Sequence, residues 1–329
     1  MRIVYPDAGP GWWSIEAMAR LAADLLGASL EVRDGTGRYR GASRAPVPPR
    51  RRGDEDVLFI APTPRHLNEL VRDAYRLRAY GRVGVWLIDS FWTDRTPQVG
   101  VASRHLDRLY VTDGELVSDW AAIARVETAW LPWGSDVLGT WDERDDERTA
   151  DLLRLGRQPG TWSNDEQTAR AAASAGLVFR PGPPFGASPM ESHANVQEAL
   201  RTTKAVLAFG NSHDRATYTH PTREYVTARW TDALAHGTQV AGIPPRCQAT
   251  ERLLPLEARI PIPADDITAG AEIIREHLHD WTAQRARAIR RTALGAVDWR
   301  HRLAIIRDDF ELAAPRLDAD LDRIATLSP

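Results

Sequence analysis

A chain of 329 residues, 43% apolar and 26% charged, can bury more than one core, and its length favours two domains of about 150 residues each. With a formal net charge of −3, no global field draws it to nucleic acid or to an anionic membrane. The single cysteine, Cys247, excludes an internal disulfide and a multi-cysteine zinc site, and it reads first as a small core residue in a reducing compartment.

The opening MRIVYPDAGPGWW has no apolar run of signal-peptide length, and no stretch approaches the ~20 apolar residues that span a bilayer, so a cytoplasmic location is expected. The first half alternates short apolar runs with helical spacing. Strands are expected at 2–5 (RIVY), 30–33, 57–61 (VLFIA), 83–88 (VGVWLI), 108–112 and 128–131. Helices are expected from a Ser14 cap to Gly27, over 64–80, and around 115–124. That alternation implies βαβ units and a parallel sheet, whose ligands bind beyond the carboxyl ends of the strands. The rule selects Asp7, the Pro62–His66 loop, Asp89 and Asp113.

The charged run WDERDDERTAD, 141–151, reads as a connector or a solvated helix, and the loop 38–53 is strongly basic and rich in proline. A second βα set follows, with strands at 152–155, 177–180, 205–209, 239–243 and 259–262. Helices are expected at 164–175, 195–203, 222–236 and 248–254, then to the end. The expected organisation is α/β: two Rossmann-like domains facing across a cleft, residues 1–136 and 137–300, with a C-terminal helix over 301–329 crossing back to the first domain.

The stretch TREYVTARWTDALAHGTQVAG, 222–242, puts Glu224 and Asp232 eight positions apart, which on one helix means about 80° of azimuth and 12 Å of rise. Two such acids can be a solvated face, or they can flank a groove about one nucleotide sugar long. A carboxylate can accept from a sugar diol, and first-turn N–H groups can hold phosphate oxygens. Asp89 ends a very apolar strand amid aromatics, which can raise a carboxylate toward the range of a general base. Trp12, Trp13, Phe91 and Trp92 are either ring platforms for an acceptor or core tryptophans and phenylalanine.

DALAHGTQVAG resembles the E-A-x-A-x-G-x-x-V segment of nucleotide-sugar glycosyltransferases of the GT-B fold, with Glu224 and Asp232 similar to their E-x7-E pair. RTTKAVLAF and ARWTDALAHG resemble more narrowly the spore-maturation (CgeB-type) relatives, and TAWLPWGSDV is similar to the L-P-x-G-x-D passage of group 1 enzymes. The closing PADDITAGAEIIREHLHD through VDWRHRLAIIRDDF resembles their terminal helices, so the likeness covers about 130–310.

The resemblance implies transfer of a sugar from a nucleotide diphosphate without a metal or other cofactor. Catalysis falls to Glu224, with Asp89 or Asp7 as base if the reaction inverts; if it retains, no base is needed. Asp232 takes ribose hydroxyls, and Arg157 contacts the diphosphate. The lysine expected five residues after Arg157 is replaced by Trp162, leaving Arg180, Arg223, Arg229 or the amides at 211–214 to neutralise phosphate. Ser212, His213 and Tyr225 complete the donor set, and Gly11, Trp12, His66, Phe91 and Trp92 the acceptor set. Base, sugar, acceptor and oligomeric state are open. Three other readings stand beside this one: a non-catalytic sugar-nucleotide or glycan-binding module, a sugar-nucleotide epimerase, and a nucleic-acid base glycosyltransferase using the Arg38–Arg52 loop. No G-x-G-x-x-G follows the first strand, which disfavours a dehydrogenase.

Overall fold

The computed structural model describes residues 1–7, 12–33, 53–72, 77–95, 105–141, 147–213 and 219–328. Gly11, Asp214 and the Arg38–Arg52 loop lie outside the described residues. The chain divides into two units: Met1–Pro132 with Arg302–Ala319, and Trp133–His301 with Asp320–Pro329. Each is built on one parallel sheet flanked by helices, as the alternating pattern predicts.

The first unit contains β1 (Arg2–Pro6), α1 (Trp13–Leu25), β2 (Ser29–Arg33), β3 (Val57–Ala61), α2 (Pro64–Arg72), β4 (Val83–Leu87), β5 (Arg108–Val111), α3 (Val117–Ala124) and β6 (Thr128–Trp130). Its six strands run in the order β2-β1-β3-β4-β5-β6. Every residue of β3 and β4 is buried, because a central parallel strand is covered on both faces and so reads as an unbroken apolar run. Residues after Arg302 pack into this unit. Phe310 fills the space left at Gly84, where a Cβ would come within 2.7 Å of its ring, while Tyr110 and Arg108 donate to Asp309 at 2.8 and 3.1 Å.

The second unit contains β7 (Ala150–Arg154), α4 (Asp165–Ser174), β8 (Phe179–Arg180), α5 (Pro189–Arg201), β9 (Thr203–Leu207), α6 (Ala228–Ala235), β10 (Gln239–Gly242), α7 (Gln248–Leu253), β11 (Arg259–Pro261), α8 (Ile267–His279) and α9 (Ala283–Val297). The helices α10 (Trp299–Asp309) and α11 (Pro315–Leu327) close the chain. Its sheet runs β11-β10-β9-β7-β8. Trp162 and Phe209 anchor the core together with Leu152, Leu207, Ile260 and Ile274.

Four local expectations are corrected. Helix α1 starts at Trp13 rather than after Ser14, because the Trp12 carbonyl already accepts Ile15 and Glu16 N–H at 3.0 and 3.3 Å. Helix α5 begins six residues before the expected 195, since Ser188 Oγ accepts from Glu191 N at 3.1 Å and Pro189 occupies the first turn, where a proline is tolerated. Residues 150 and 151 belong to β7 rather than to a solvated connector. Arg148, just before them, donates to the carbonyls of Leu200, Thr203 and His236 at 3.0, 2.7 and 2.6 Å.

The fourth correction matters most: α6 starts at Ala228, so Glu224 is not on it. Thr227 is extended at φ −110°, ψ 169°, and the backbone groups of Arg223 have other partners. Asn211 Nδ2 takes the Arg223 carbonyl at 2.9 Å, and the His220 ring nitrogen Nδ1 takes the Arg223 N–H at 3.0 Å. Side chains that claim nearby backbone groups compete with helix in this way. No helix among the described residues is long and apolar enough to cross a membrane.

Candidate functional site

In the second unit the strand order reverses between β7 and β9, and a ligand of an open parallel sheet sits beyond the carboxyl ends at such a reversal. After β7, Gly156 adopts φ +68°, a left-handed turn open to glycine, and Arg157 follows. Arg229, in the first turn of α6, runs back over that turn. Its Cδ would lie 3.2 Å from a Cβ at Gly156, and its Nη1 donates to the Arg157 carbonyl at 2.8 Å. The first turn of a helix presents N–H groups without intrahelical partners and the positive end of the dipole. Beside it, Thr227 Oγ1 is buried and has no hydrogen-bond partner among the described residues.

After β9 the chain runs through Asn211, Ser212 and His213. Glu224 is seated against this loop: one carboxylate oxygen accepts the Ser212 hydroxyl and the other the Arg246 N–H, with the Arg246 guanidinium 3.7 Å away. The Glu224 side chain is 6% exposed, so it ties the loops after β9 and β10 together from inside. His213 packs edge-on to Phe209 at 6.4 Å, and Tyr225 is half-buried next to Glu224 in the chain. Arg157, Ser212, His213, Arg223, Glu224, Tyr225 and Arg229 are thus gathered at one end of the sheet.

Arg180 is not among them. Its guanidinium reaches Thr202 and Thr149 at 2.7 and 2.9 Å, flanking the starts of β9 and β7, at the opposite end of the strands. Trp162, which stands where the resemblance expects a lysine, is a core residue. It is fully buried, donates Nε1 to the Pro263 carbonyl at 3.1 Å, and packs on Gly270 so closely that a Cβ there would meet its ring at 2.4 Å.

Asp232 is 6% exposed inside α6 and accepts the hydroxyl of Ser135. Burial pushes its carboxyl up to about 7, against the hydrogen bonds from Ser135 and the Gln197 amide. Gln197 Oε1 lies 2.7 Å from His236 Nε2, and burial and the Arg148 charge hold that imidazole down at about 3. Among the described residues Asp232 and Glu224 share no hydrogen-bond partner.

In the first unit the order reverses between β1 and β3. Asp7 is exposed at the end of β1, its N–H bonded to the Arg33 carbonyl at 2.7 Å, and Trp12 is half-buried where α1 begins. Beyond β3, His66 Nδ1 is 2.9 Å from Thr63 Oγ1, and burial lowers its pKa. The Asp89 N–H donates to the Pro62 carbonyl at 3.0 Å, which sets this acid beside the same turn. Its carboxylate is half-buried with no hydrogen-bond partner among the described residues. Burial, and then the charge of Asp113, push it up to about 8. Asp113 itself is engaged by the Ser90 hydroxyl at 2.8 Å. Phe91 and Trp92 are 1% and 7% exposed and pack on one another at 5.7 Å, so their faces serve the core.

Sequence reasoning did not single out Gln158, Thr227 or Arg246. Gln158 and Arg246 follow strand ends in the second unit's sheet, so the carboxyl-end rule applied to β7 and β10 would have found them. Among the described residues no three His, Cys, Asp or Glu side chains come together in a group that could hold a metal ion.

No protein-family model matches the chain, and no curated protein is found similar to it. Its fold is similar to solved structures at low identity. With WaaB, a lipopolysaccharide outer core galactosyltransferase, it shares 8% identity over 94% of this chain and 99% of that one, at a TM-score of 0.48. With S. aureus TarM, solved in complex with UDP and alpha-GlcNAc-glycerol, it shares 8% identity over 75% of this chain at 0.47, and it spans only 54% of TarM. With a DNA-modifying beta-glucosyltransferase, solved in the presence and absence of uridine diphosphoglucose, it shares 10% identity over 98% of this chain and 99% of that one, at 0.40.

Proposed function

We propose that the chain is a GT-B glycosyltransferase whose nucleotide-diphosphate sugar rests at the carboxyl end of the second sheet. The observation that carries this reading is the convergence, at the β7–β9 reversal, of the Gly156–Arg157 turn, the first turn of α6 with Arg229, and the buried Glu224. The diphosphate lies against the first-turn N–H groups, Thr227, Arg157 and Arg229, which together replace the missing lysine. As the bond from the anomeric carbon to the diphosphate breaks, the same groups stabilise the departing charge, with no metal invoked.

Glu224 orients the transferred sugar. A carboxylate offers about four acceptor sites, and Ser212 and the Arg246 N–H occupy two of them. Asp232, buried against Ser135, supports the site by holding α6 in place. The first unit takes the acceptor: if the reaction inverts, Asp89 receives the proton of the attacking hydroxyl, and if it retains, that proton leaves with the phosphate.

Turnover tests the proposal. UDP-, GDP-, ADP- and TDP-glucose are incubated with the protein and a panel of acceptors, and acceptor-dependent release of the nucleoside diphosphate is expected. Binding without release under every acceptor would favour the non-catalytic module, a reading supported by the engagement of both Glu224 oxygens within the protein. Conversion to an isomeric sugar nucleotide would favour the epimerase.

A further inference from the structure

Two amide side chains at the β7–β9 reversal are buried with an oxygen left over. Gln158 is 4% exposed and Asn211 6%, and neither Gln158 Oε1 nor Asn211 Oδ1 has a hydrogen-bond partner among the described residues. The orientation of each amide is fixed by what its nitrogen does. Gln158 Nε2 donates to the Leu155 carbonyl at 3.0 Å and the Leu207 carbonyl at 3.1 Å, bridging the ends of β7 and β9. Asn211 Nδ2 donates to the Arg223 carbonyl at 2.9 Å. Turning either amide over would set an oxygen against carbonyl oxygens.

A buried acceptor without a donor costs about 1–3 kcal/mol, and such groups in folded proteins call for an explanation. These two stand at the end of the sheet where a ligand is expected, one beside Arg157 in the chain and the other beside Ser212. A carbonyl oxygen repels phosphate, so the group it takes must bring O–H or N–H donors. On the reading above, the diphosphate lies at Arg157 and Arg229, and the nearest donors on such a ligand are the hydroxyls of the sugar rings on either side of it.

We propose that Gln158 Oε1 and Asn211 Oδ1 accept hydrogen bonds from the hydroxyls of a sugar ring attached to the bound diphosphate, and so set the ligand's ring specificity. This rests on the proposed donor site. The ring is the ribose or the transferred sugar, and the ligand series separates the two.

Calorimetry compares UDP, GDP and ADP with their 2′-deoxy forms and with UDP-, GDP- and ADP-glucose, on the wild type, Gln158→Met and Asn211→Leu. The expected result is a preference of about two- to thirteen-fold for hydroxyl-bearing ligands in the wild type, since one net hydrogen bond is worth about 0.5–1.5 kcal/mol. The preference falls toward one in the variants. Loss of the ribose-over-deoxyribose ratio assigns the ribose, and loss of the glucose contribution assigns the transferred sugar. If diphosphates bind but neither ratio exists in the wild type, the amides hold only water, and this inference falls while the donor site stands. That arm needs no variant to fold. If no nucleoside diphosphate binds, both readings fall together.

Discussion

Glu224 and Asp232 stand eight positions apart but serve different parts of the second unit: Glu224 holds Ser212 and the Arg246 N–H, and Asp232 holds Ser135. The chain between them is non-helical up to Thr227 and helical from Ala228. One acid is therefore placed at the carboxyl ends of β9 and β10, and the other inside a helix that presents its amino end there.

Asp232 has a folded-state pKa raised to about 7, above the ordinary carboxylate value, so the folded protein binds its proton more tightly than the unfolded chain does. Its contribution to stability is present at low pH and is lost as pH rises through about 4 to 7. Asp232→Asn removes this dependence. The melting temperature of the variant relative to wild type is expected to rise between pH 5 and pH 8, by about 2–4 °C for each kcal/mol in domains of this size. A difference that stays constant with pH would contradict the assignment. Nucleotide affinity is expected to change by less than about three-fold, because Asp232 is buried inside α6 against Ser135 rather than turned to a ligand.

Glu224→Ala leaves the Ser212 hydroxyl and the Arg246 N–H without their acceptor, a destabilisation of about 1–3 kcal/mol. Turnover is expected to fall by about ten-fold or more, while nucleoside diphosphate affinity changes by less than about three-fold. Steady-state kinetics set beside calorimetry measures the split, and full activity in the variant removes Glu224 from the site.

Asp89 is half-buried with a carboxyl at about 8, so as a general base it is active only in the fraction ionised. An inverting enzyme should then gain kcat with pH up to about 8 and level off, and Asp89→Asn should abolish transfer. A retaining enzyme should show neither effect. The anomeric configuration of the product, read by NMR, must agree with whichever profile is found.

Gly237 sits at φ +67° one residue past His236, the C-cap of α6, where a Cβ would come within 2.3 Å of the Ala286 carbonyl oxygen. Left-handed backbone alone costs an L-residue roughly 1–2 kcal/mol, and the contact with α9 adds to it. Gly237→Ala is expected to lower the unfolding free energy by about 2 kcal/mol or more in denaturant titration. An unchanged midpoint would show that α9 yields freely.

Much of the fold was legible because central parallel strands are apolar throughout: VLFIA at 57–61 is β3 to the residue. The helix carrying Asp232 was legible in kind but not in extent. Thr, Tyr and Val make TREYV only a middling helix former, and the groups that hold it out of the helix lie elsewhere in the chain, at Ser212, Asn211 and Arg246. Local periodicity cannot register such contacts. The same holds for Trp162, whose core role depends on Gly270 and the Pro263 carbonyl about a hundred residues on. Gln158 carries no pattern in the sequence, being an amide in a loop after a strand; only its burial and its one idle oxygen mark it.

The central claim is that a nucleoside diphosphate binds at the carboxyl ends of β7 and β9. Isothermal titration with UDP, GDP, ADP and TDP, on the wild type and on Arg229→Ala and Arg157→Ala, tests it most directly. At least one diphosphate should bind the wild type and lose about ten-fold or more in affinity in each variant, a charge-assisted hydrogen bond being worth about 1.5–3 kcal/mol, while the matching nucleoside loses little. Absence of binding by all four, or a diphosphate affinity indifferent to both arginines, would contradict the account.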